Sequence, residues 1–278
     1  MKKIKKLKEI HKVYGWQGII NKFLRKLRLI EKHDYFLGEK IDKLENEIMK
    51  ISNNLVLYGH YKDTYLSCKT NWKSQDNCSK LLGIYESQVQ DKIIQEQKKN
   101  NLINIVNFGA ADGYHILGLI KKGYFENGYA FEIDKITKNY LEENINKNNL
   151  DGKIKTFFEA NFDIIFKNIS DNDLKKTLFL IDIEGQEFEL LNESILKRLM
   201  HSYLLIENHD FIQSNKNLTN IFQQNIKKFF NIEIIQYSSK NPFQINLLKN
   251  FSEIDKWLMM NEGRPQTMHW IYLTPKHK

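Results

Sequence analysis

From about residue 100 onward the chain alternates short apolar runs with amphipathic stretches, and no other feature constrains its fold as tightly. Runs rich in Ile, Leu, Val and Phe read as strands at 102–108, 128–133, 153–158, 177–182, 203–208, 231–237 and 268–274, with helical spacing between most of them. Strands that alternate with helices belong to a sheet covered on both faces. The expectation is therefore an α/β chain: a Rossmann-like, doubly wound, seven-stranded and mostly parallel sheet. An irregular stretch, 238–267, separates the last two strands, which leaves that pair free to run antiparallel. In such sheets ligands sit at the carboxyl ends of the strands, where the strand order reverses.

The composition permits this fold and narrows the rest. Apolar residues make up 41% of 278, enough for a sizeable core. No apolar run reaches the length of a membrane-spanning helix, and the basic start is not followed by the apolar stretch of a signal peptide. Cys68 and Cys78 are too few for a disulfide framework or a zinc site of cysteines. The expected compartment is the cytoplasm.

The net charge of +8 is uneven: residues 1–32 hold eleven Lys/Arg and two Glu, so the remainder is close to neutral. The body of the chain thus gives no electrostatic reason to expect nucleic acid as a partner. Ile4, Leu7, Ile10, Tyr14, Ile20, Phe23, Leu24, Leu27 and Ile30 recur at helical spacing among those cations. A basic amphipathic helix of this kind can lie on anionic lipid, which predicts peripheral attachment to the inner face of the cell membrane through residues 1–32. Ile41, Leu44, Ile48, Ile51 and Leu55 then follow a heptad pattern. It reads either as a homodimer seam or as a short helix packed on its own domain. The expected division is a helical extension over 1–55 and a catalytic domain over 56–278.

The stretch NIVNFGAADGYHILGLI, 104–120, places a turn of small residues between a strand and a helix. Gly109, Ala111 and Gly113 allow close backbone approach to a ligand. The turn lacks the G-x-G-x-x-G spacing of a dinucleotide site, and Asp112 inside it would repel a pyrophosphate. That disfavours a nicotinamide-dependent oxidoreductase. Asp112 suits a ligand with a cationic end, such as the amino-acid part of S-adenosylmethionine. Glu132 ends the second strand about 20 residues beyond the turn, the spacing at which a carboxylate can hold both ribose hydroxyls of an adenosine.

TLFLIDIEGQEFELL, 177–191, delivers Asp182 and Glu184 to the same sheet edge, with Gly185 at the exit and Glu187 at a helix start. The residues Asn107 to Gly113, Phe131-Glu132, Ile181 to Glu187 with Leu190-Leu191, and Glu207 together resemble the FkbM-type, class I S-adenosylmethionine-dependent methyltransferases. LLGIYESQVQDKI (81–93) and EGRPQTMHWIYLTPK (262–276) are similar to a subgroup associated with bacterial polysaccharide genes. The resemblance spans about 60–276 and implies methyl transfer to an oxygen acceptor, commonly a sugar hydroxyl, with a saccharide or sugar nucleotide as substrate. It implies that Gly109, Ala111 and Gly113 line the methionine end, Glu132 takes the ribose, and Ala160 and Asn161 sit near the adenine. Asn107 stands where many relatives carry an acid, so Asp112 or Glu86 is the candidate for the methionine amino group.

Asp182 and the run Glu207-Asn208-His209-Asp210 should meet at neighbouring strand ends. Three readings stay open. His209 or Asp182 acts as general base on the acceptor hydroxyl. Alternatively Asp182 and Glu207, with Asn208, His209 or Asp210, hold Mg2+ or Mn2+. In the third, these acids only cap strand ends. Glu86 and Gln90, read as one turn apart on a helix, could close over the cofactor, and Arg264 could bind an anionic substrate. The rival to an enzyme is a membrane-associated scaffold that keeps the fold and has lost catalysis.

Overall fold

A computed structural model of the protein describes residues 34–71, 75–238, 240–264 and 266–276. The expected basic helix over 3–30 lies outside them. The chain divides into two compact units, 1–44 and 45–278. Helix α1 (Asp34–Ser52) ends in the second unit, where Asn53 and Asn54 take φ of 50° and 61°. This left-handed exit stops the helix before Leu55, which instead forms an isolated bridge with Tyr65. Ile48 is fully buried, while Ile51 is 44% exposed.

The second unit holds all seven expected strands: β1 (Asn104–Phe108), β2 (Asn127–Phe131), β3 (Ile154–Phe157), β4 (Thr177–Ile181), β5 (Tyr203–Glu207), β6 (Phe230–Gln236) and β7 (His269–Pro275). Their order is β3-β2-β1-β4-β5-β7-β6. β1 pairs in parallel with β2 and with β4, and β7 runs antiparallel to both β5 and β6. The chain is thus the Rossmann-like, mostly parallel sheet that the alternation predicts, with the anticipated antiparallel pair at one side. The order reverses between β1 and β4, so the crevice for a ligand opens where their carboxyl ends part.

Both faces of the sheet are covered, which is why β1, β4 and β5 are buried along their whole length. In β1, Ile105 points into one hydrophobic cluster, and Val106 and Phe108 belong to the other. Phe108 packs edge-on against Phe131 and Phe162, with ring centroids 4.7 and 5.1 Å away. Aromatic edges of this kind anchor the strand ends that carry the site. The helices that matter below are α2 (Asn77–Leu81), α3 (Ser87–Asn100) and α4 (Tyr114–Lys121), then α5 (Lys135–Lys147) and α6 (Phe162–Asn168). Among the described residues no helix is long and apolar enough to cross a membrane. Cys68 and Cys78 are free.

Candidate active site

The crevice begins with a steric fact. Gly109 has a φ of +78°, and a Cβ on it would stand 1.7 Å from the carbonyl oxygen of Asp182. Only glycine lets the turn after β1 press against the end of β4. Asp182 N donates to Phe108 O at 3.0 Å and locks the two ends together. Ala111 takes a φ of +48°, a strained setting for a residue with a Cβ. Its N–H donates to Glu132 Oε2 at 2.9 Å, and the Asp134 N–H donates to Glu132 Oε1 at 2.7 Å. Two backbone donors therefore fix the carboxylate at the tip of β2, while burial raises its pKa above the usual range.

Between these strand ends lies a cavity of ≈ 600 Å³, lined by Gly109, Ala111, Glu132, Phe158, Ala160 and Asp182 among others. A smaller cavity of ≈ 50 Å³ shares Gly109, Ala111 and Asp182 with it and adds Glu86, Asn107 and Asp112. Six of the eight expected cofactor residues, Glu132 among them, thus line one cavity or the other. Gly113 and Asn161 do not. Gly113, at φ +90°, lets the start of α4 pack on Leu141 and Leu117. Asn161 is exposed and caps α6 by accepting from Asp163 N at 2.8 Å.

Asp112 and Glu86 turn out to be paired within the protein. Lys80 Nζ lies 3.3 Å from Asp112 Oδ2 and 3.1 Å from Asp76, and Tyr114 N donates to Asp112 Oδ1 at 3.3 Å. The cation opposite Asp112 is supplied by the chain itself. Glu86 is not one turn from Gln90 inside a helix: it is the residue before α3, with a φ of 46°. Its carboxylate meets the Arg264 guanidinium on one oxygen and His115 Nε2, at 2.8 Å, on the other. Gln90 turns instead to Tyr85 O and to the Tyr114 hydroxyl.

Arg264 is likewise not free for an anionic substrate. It pairs with Glu86, Glu207 and, at 3.3 Å, Glu262. These contacts join the segment before β1, the end of β5 and the loop before β7. The Arg264 guanidinium and a hydrogen-bonded His209, working against the cost of burial, hold Glu207 down at about 2. Burial, together with the negative charge of Glu86, pushes Glu262 up to about 7.

His209 sits at the centre of the other group. Its Nδ1 lies 3.0 Å from Glu187 Oε1. Its Nε2 faces Glu207 Oε2 at 3.3 Å, Glu184 Oε2 at 3.5 Å and Asp182 Oδ1 at 3.7 Å. Burial alone would lower its pKa, but the hydrogen bonds to Glu187 and Glu207 and the charge of Asp182 raise it to about 11. These partners favour the imidazolium form, which has no free nitrogen with which to act as general base. Asp182 moves the other way from Glu207: burial and the neighbouring Glu207 charge raise its pKa well above the carboxylate range. Of the two carboxylates, Asp182 is therefore the stronger base.

Of the expected ligand set, Asp182 and Glu207 meet at His209, whereas Asn208 turns away. Asn208 Nδ2 turns to His269 Nε2 at 3.2 Å, and Glu207 Oε1 is taken by Arg264. Among the described residues, one donor atom each of Asp182, Glu187 and His209 comes within 4.8 Å of the other two.

No family model and no curated protein matches the chain. Solved structures resemble it at low identity. An O-methyltransferase from Bacillus cereus in complex with SAH is 10% identical, with a TM-score of 0.45, and the match covers 92% of this chain and 97% of that one. A putative O-methyltransferase from Klebsiella pneumoniae is 10% identical at a TM-score of 0.44, covering 92% and 96%. An rRNA methylase from Streptococcus thermophilus is 14% identical at a TM-score of 0.45, covering 70% and 99%.

Lys80, His115 and Glu262 are partners of the site whose roles no sequence spacing marks. Each is a single residue outside any recognisable spacing, and Glu262 is 176 positions from the Glu86 N–H that donates to it at 3.1 Å. Glu187 opens a short helix, Glu187–Leu190, as expected. It is fully buried, accepting from Ile183 N at 3.0 Å as well as facing His209.

Proposed function

We propose that this chain is an S-adenosylmethionine-dependent O-methyltransferase that acts on a hydroxyl of a saccharide or sugar nucleotide in surface polysaccharide biosynthesis. One observation carries the reading: the ≈ 600 Å³ cavity at the strand-order reversal has Glu132 on one wall and Asp182 on another. Glu132 is placed to receive the ribose hydroxyls, and Phe158 and Ala160 border the space for the adenine. Gly109 and Ala111 let the methionine end lie against backbone. The acceptor hydroxyl then approaches from the side of Asp182.

Bound S-adenosylmethionine would supply a methyl group on its sulfonium: the acceptor oxygen would take it in line, the C–S bond giving way to a C–O bond and leaving a neutral thioether. The hydroxyl proton passes to the Asp182 carboxylate. Positioning supplies much of the rate, because attacking oxygen, methyl carbon and leaving sulfur must be collinear. Calorimetry with S-adenosylmethionine tests the first half and should show saturable binding; no binding at millimolar cofactor would favour the scaffold reading. Incubation with a panel of sugar nucleotides tests the second half, read as a mass gain of one methyl group.

Residues 1–32 fit a tether to anionic lipid through their charge excess. The full chain should sediment with anionic vesicles at low salt and less so at high salt. A chain starting near Leu55 should stay in solution and keep methyl transfer. If neither sediments, the segment belongs to a protein interface, and the heptad stretch then makes a second copy the first partner to test by ultracentrifugation.

A further inference from the structure

We propose that the outer edge of β6 is the surface through which two copies of this chain pair, strand against antiparallel strand, about a two-fold axis at Ile232. The inference does not depend on the reaction proposed above.

β6 is the last strand of the sheet, and among the described residues it pairs with β7 alone. Its residues match those of β7 one to one from Phe230 to Gln236, with no bulge. Alternate residues of such a strand turn their N–H and C=O groups away from the pair. Proteins that stay monomeric blunt an edge of this length with lysine, proline, a bulge or a covering segment. The strand, FNIEIIQ, holds no lysine and no proline. Its one charged residue, Glu233, is met at 2.7 Å by Lys92 Nζ of the chain's own α3.

The side chains are a second, separate observation. Phe230 belongs to one hydrophobic cluster and Ile235 packs against the other. Side chains alternate along a strand, so Phe230, Ile232 and Ile234 share one face, and Asn231, Glu233 and Ile235 the other. The helix Lys216–Phe229 buries Phe222 and Ile226 in the same cluster as Phe230. Ile232 and Ile234 lack such cover and are 38% and 45% exposed. Two β-branched apolar side chains beside an open row of backbone donors and acceptors suit another strand.

Charge and symmetry identify the occupant as a second copy. A two-fold axis at Ile232 sets this residue against its own counterpart, Phe230 against Ile234, and Asn231 against Glu233. Apolar then meets apolar on one face. On the other an amide meets a carboxylate, and no like charges confront each other. An axis at Glu233 would oppose two carboxylates, and one at Ile234 would oppose Glu233 to Ile235. A self-matching patch is what an isologous contact requires. The heptad stretch is the poorer seam, since Ile48 within it is already buried. Pairing through β6 leaves both crevices open, because β5 and β7 stand between β4 and β6.

Sedimentation velocity of the full chain at micromolar concentration should show a dimer. Ile232→Lys and Ile234→Lys introduce the residue that natural edges use against pairing. Both should sediment as monomers, with the circular dichroism and melting temperature of the parent chain. Ile51→Lys, at an exposed heptad position, should remain a dimer. A gain of signal checks the register. Opposed Cα atoms in an antiparallel pair stand about 4.5–5.5 Å apart, within reach of a disulfide. Ile232→Cys should therefore form a disulfide-linked dimer under mild oxidation. Ile234→Cys should not, nor should the parent chain with its own Cys68 and Cys78. A monomeric parent chain, a dimer that survives both lysine variants, or cross-linking through Ile234→Cys in place of Ile232→Cys overturns the proposal. Cofactor binding should be the same in dimer and monomer, so its absence would count against the methyltransferase reading and not against this one.

Discussion

The two ends of the crevice keep their carboxylates in place by different means. At the ribose end, Glu132 is held by the N–H groups of Ala111 and Asp134, both supplied by the turns on either side of it. At the acceptor end, Glu86, Asp182, Glu187 and Glu207 depend on the side chains of Arg264, His115 and His209. Backbone donors survive almost any side-chain replacement. A network of buried charges fails when one member is lost, because the remaining charges stay buried without their partner. The acceptor end should therefore be the more fragile of the two, in folding as well as in chemistry.

The largest effect expected from this contrast is at Asp182. Asp182→Asn removes the proton acceptor and keeps the shape, so turnover should fall by about 10²–10⁴. Cofactor affinity, measured by calorimetry, should change little. A variant that loses both equally would merge the two ends into one functional unit.

Arg264→Ala comes next. It leaves Glu86 and Glu207 buried without their shared cation, which should cost about 3–5 kcal/mol of stability, read by denaturant unfolding. Arg264→Lys should recover only part of it, since one ammonium cannot reproduce the guanidinium fork. A loss under 1 kcal/mol for Arg264→Ala would mean that the network is solvated and no more fragile than the ribose end.

Glu132→Ala should weaken cofactor binding by about 1.5–3 kcal/mol, the usual worth of hydrogen bonds to a charged group, with the fold intact. Unchanged affinity would remove Glu132 from the ribose.

The smallest effect concerns pH. His209 has its folded pKa raised to about 11 from an ordinary 6.5. The folded state therefore binds this proton more tightly than the unfolded state does. The resulting stabilisation is fully present below about 6.5 and is lost as pH rises through about 11. The melting temperature should decline on the alkaline side, and His209→Gln should flatten that decline. Glu132 offers no comparable alkaline dependence, so an unaltered slope in the His209 variant would place the titration elsewhere.

How much of this was readable beforehand follows the same division. The seven strands were legible because each is a continuous apolar run, and two-faced burial demands such runs. The glycine turn and Glu132 were legible because both lie at spacings set by one strand–helix–strand unit. Asp182, Glu207 and His209 were legible as neighbours, because adjacent parallel strands end at one edge. Their electrical state was not. Proton affinity depends on every charge within several ångströms, and Arg264 arrives from 57 positions beyond Glu207. Likewise Asp112, by its place in the turn, suits a ligand cation, but Lys80, 32 positions earlier, supplies one.

The amino-acid sequence by itself determined the sheet, its edge and the identity of the acids gathered there, since these follow from hydrophobic periodicity and local turn chemistry. Only the tertiary structure decided which of those acids keep a free oxygen, which are neutralised by Arg264 or Lys80, and that His209 carries its charge. The reason is physical: periodicity is a property of a few consecutive residues, whereas a buried charge is governed by whatever side chains the whole fold brings within Coulomb reach.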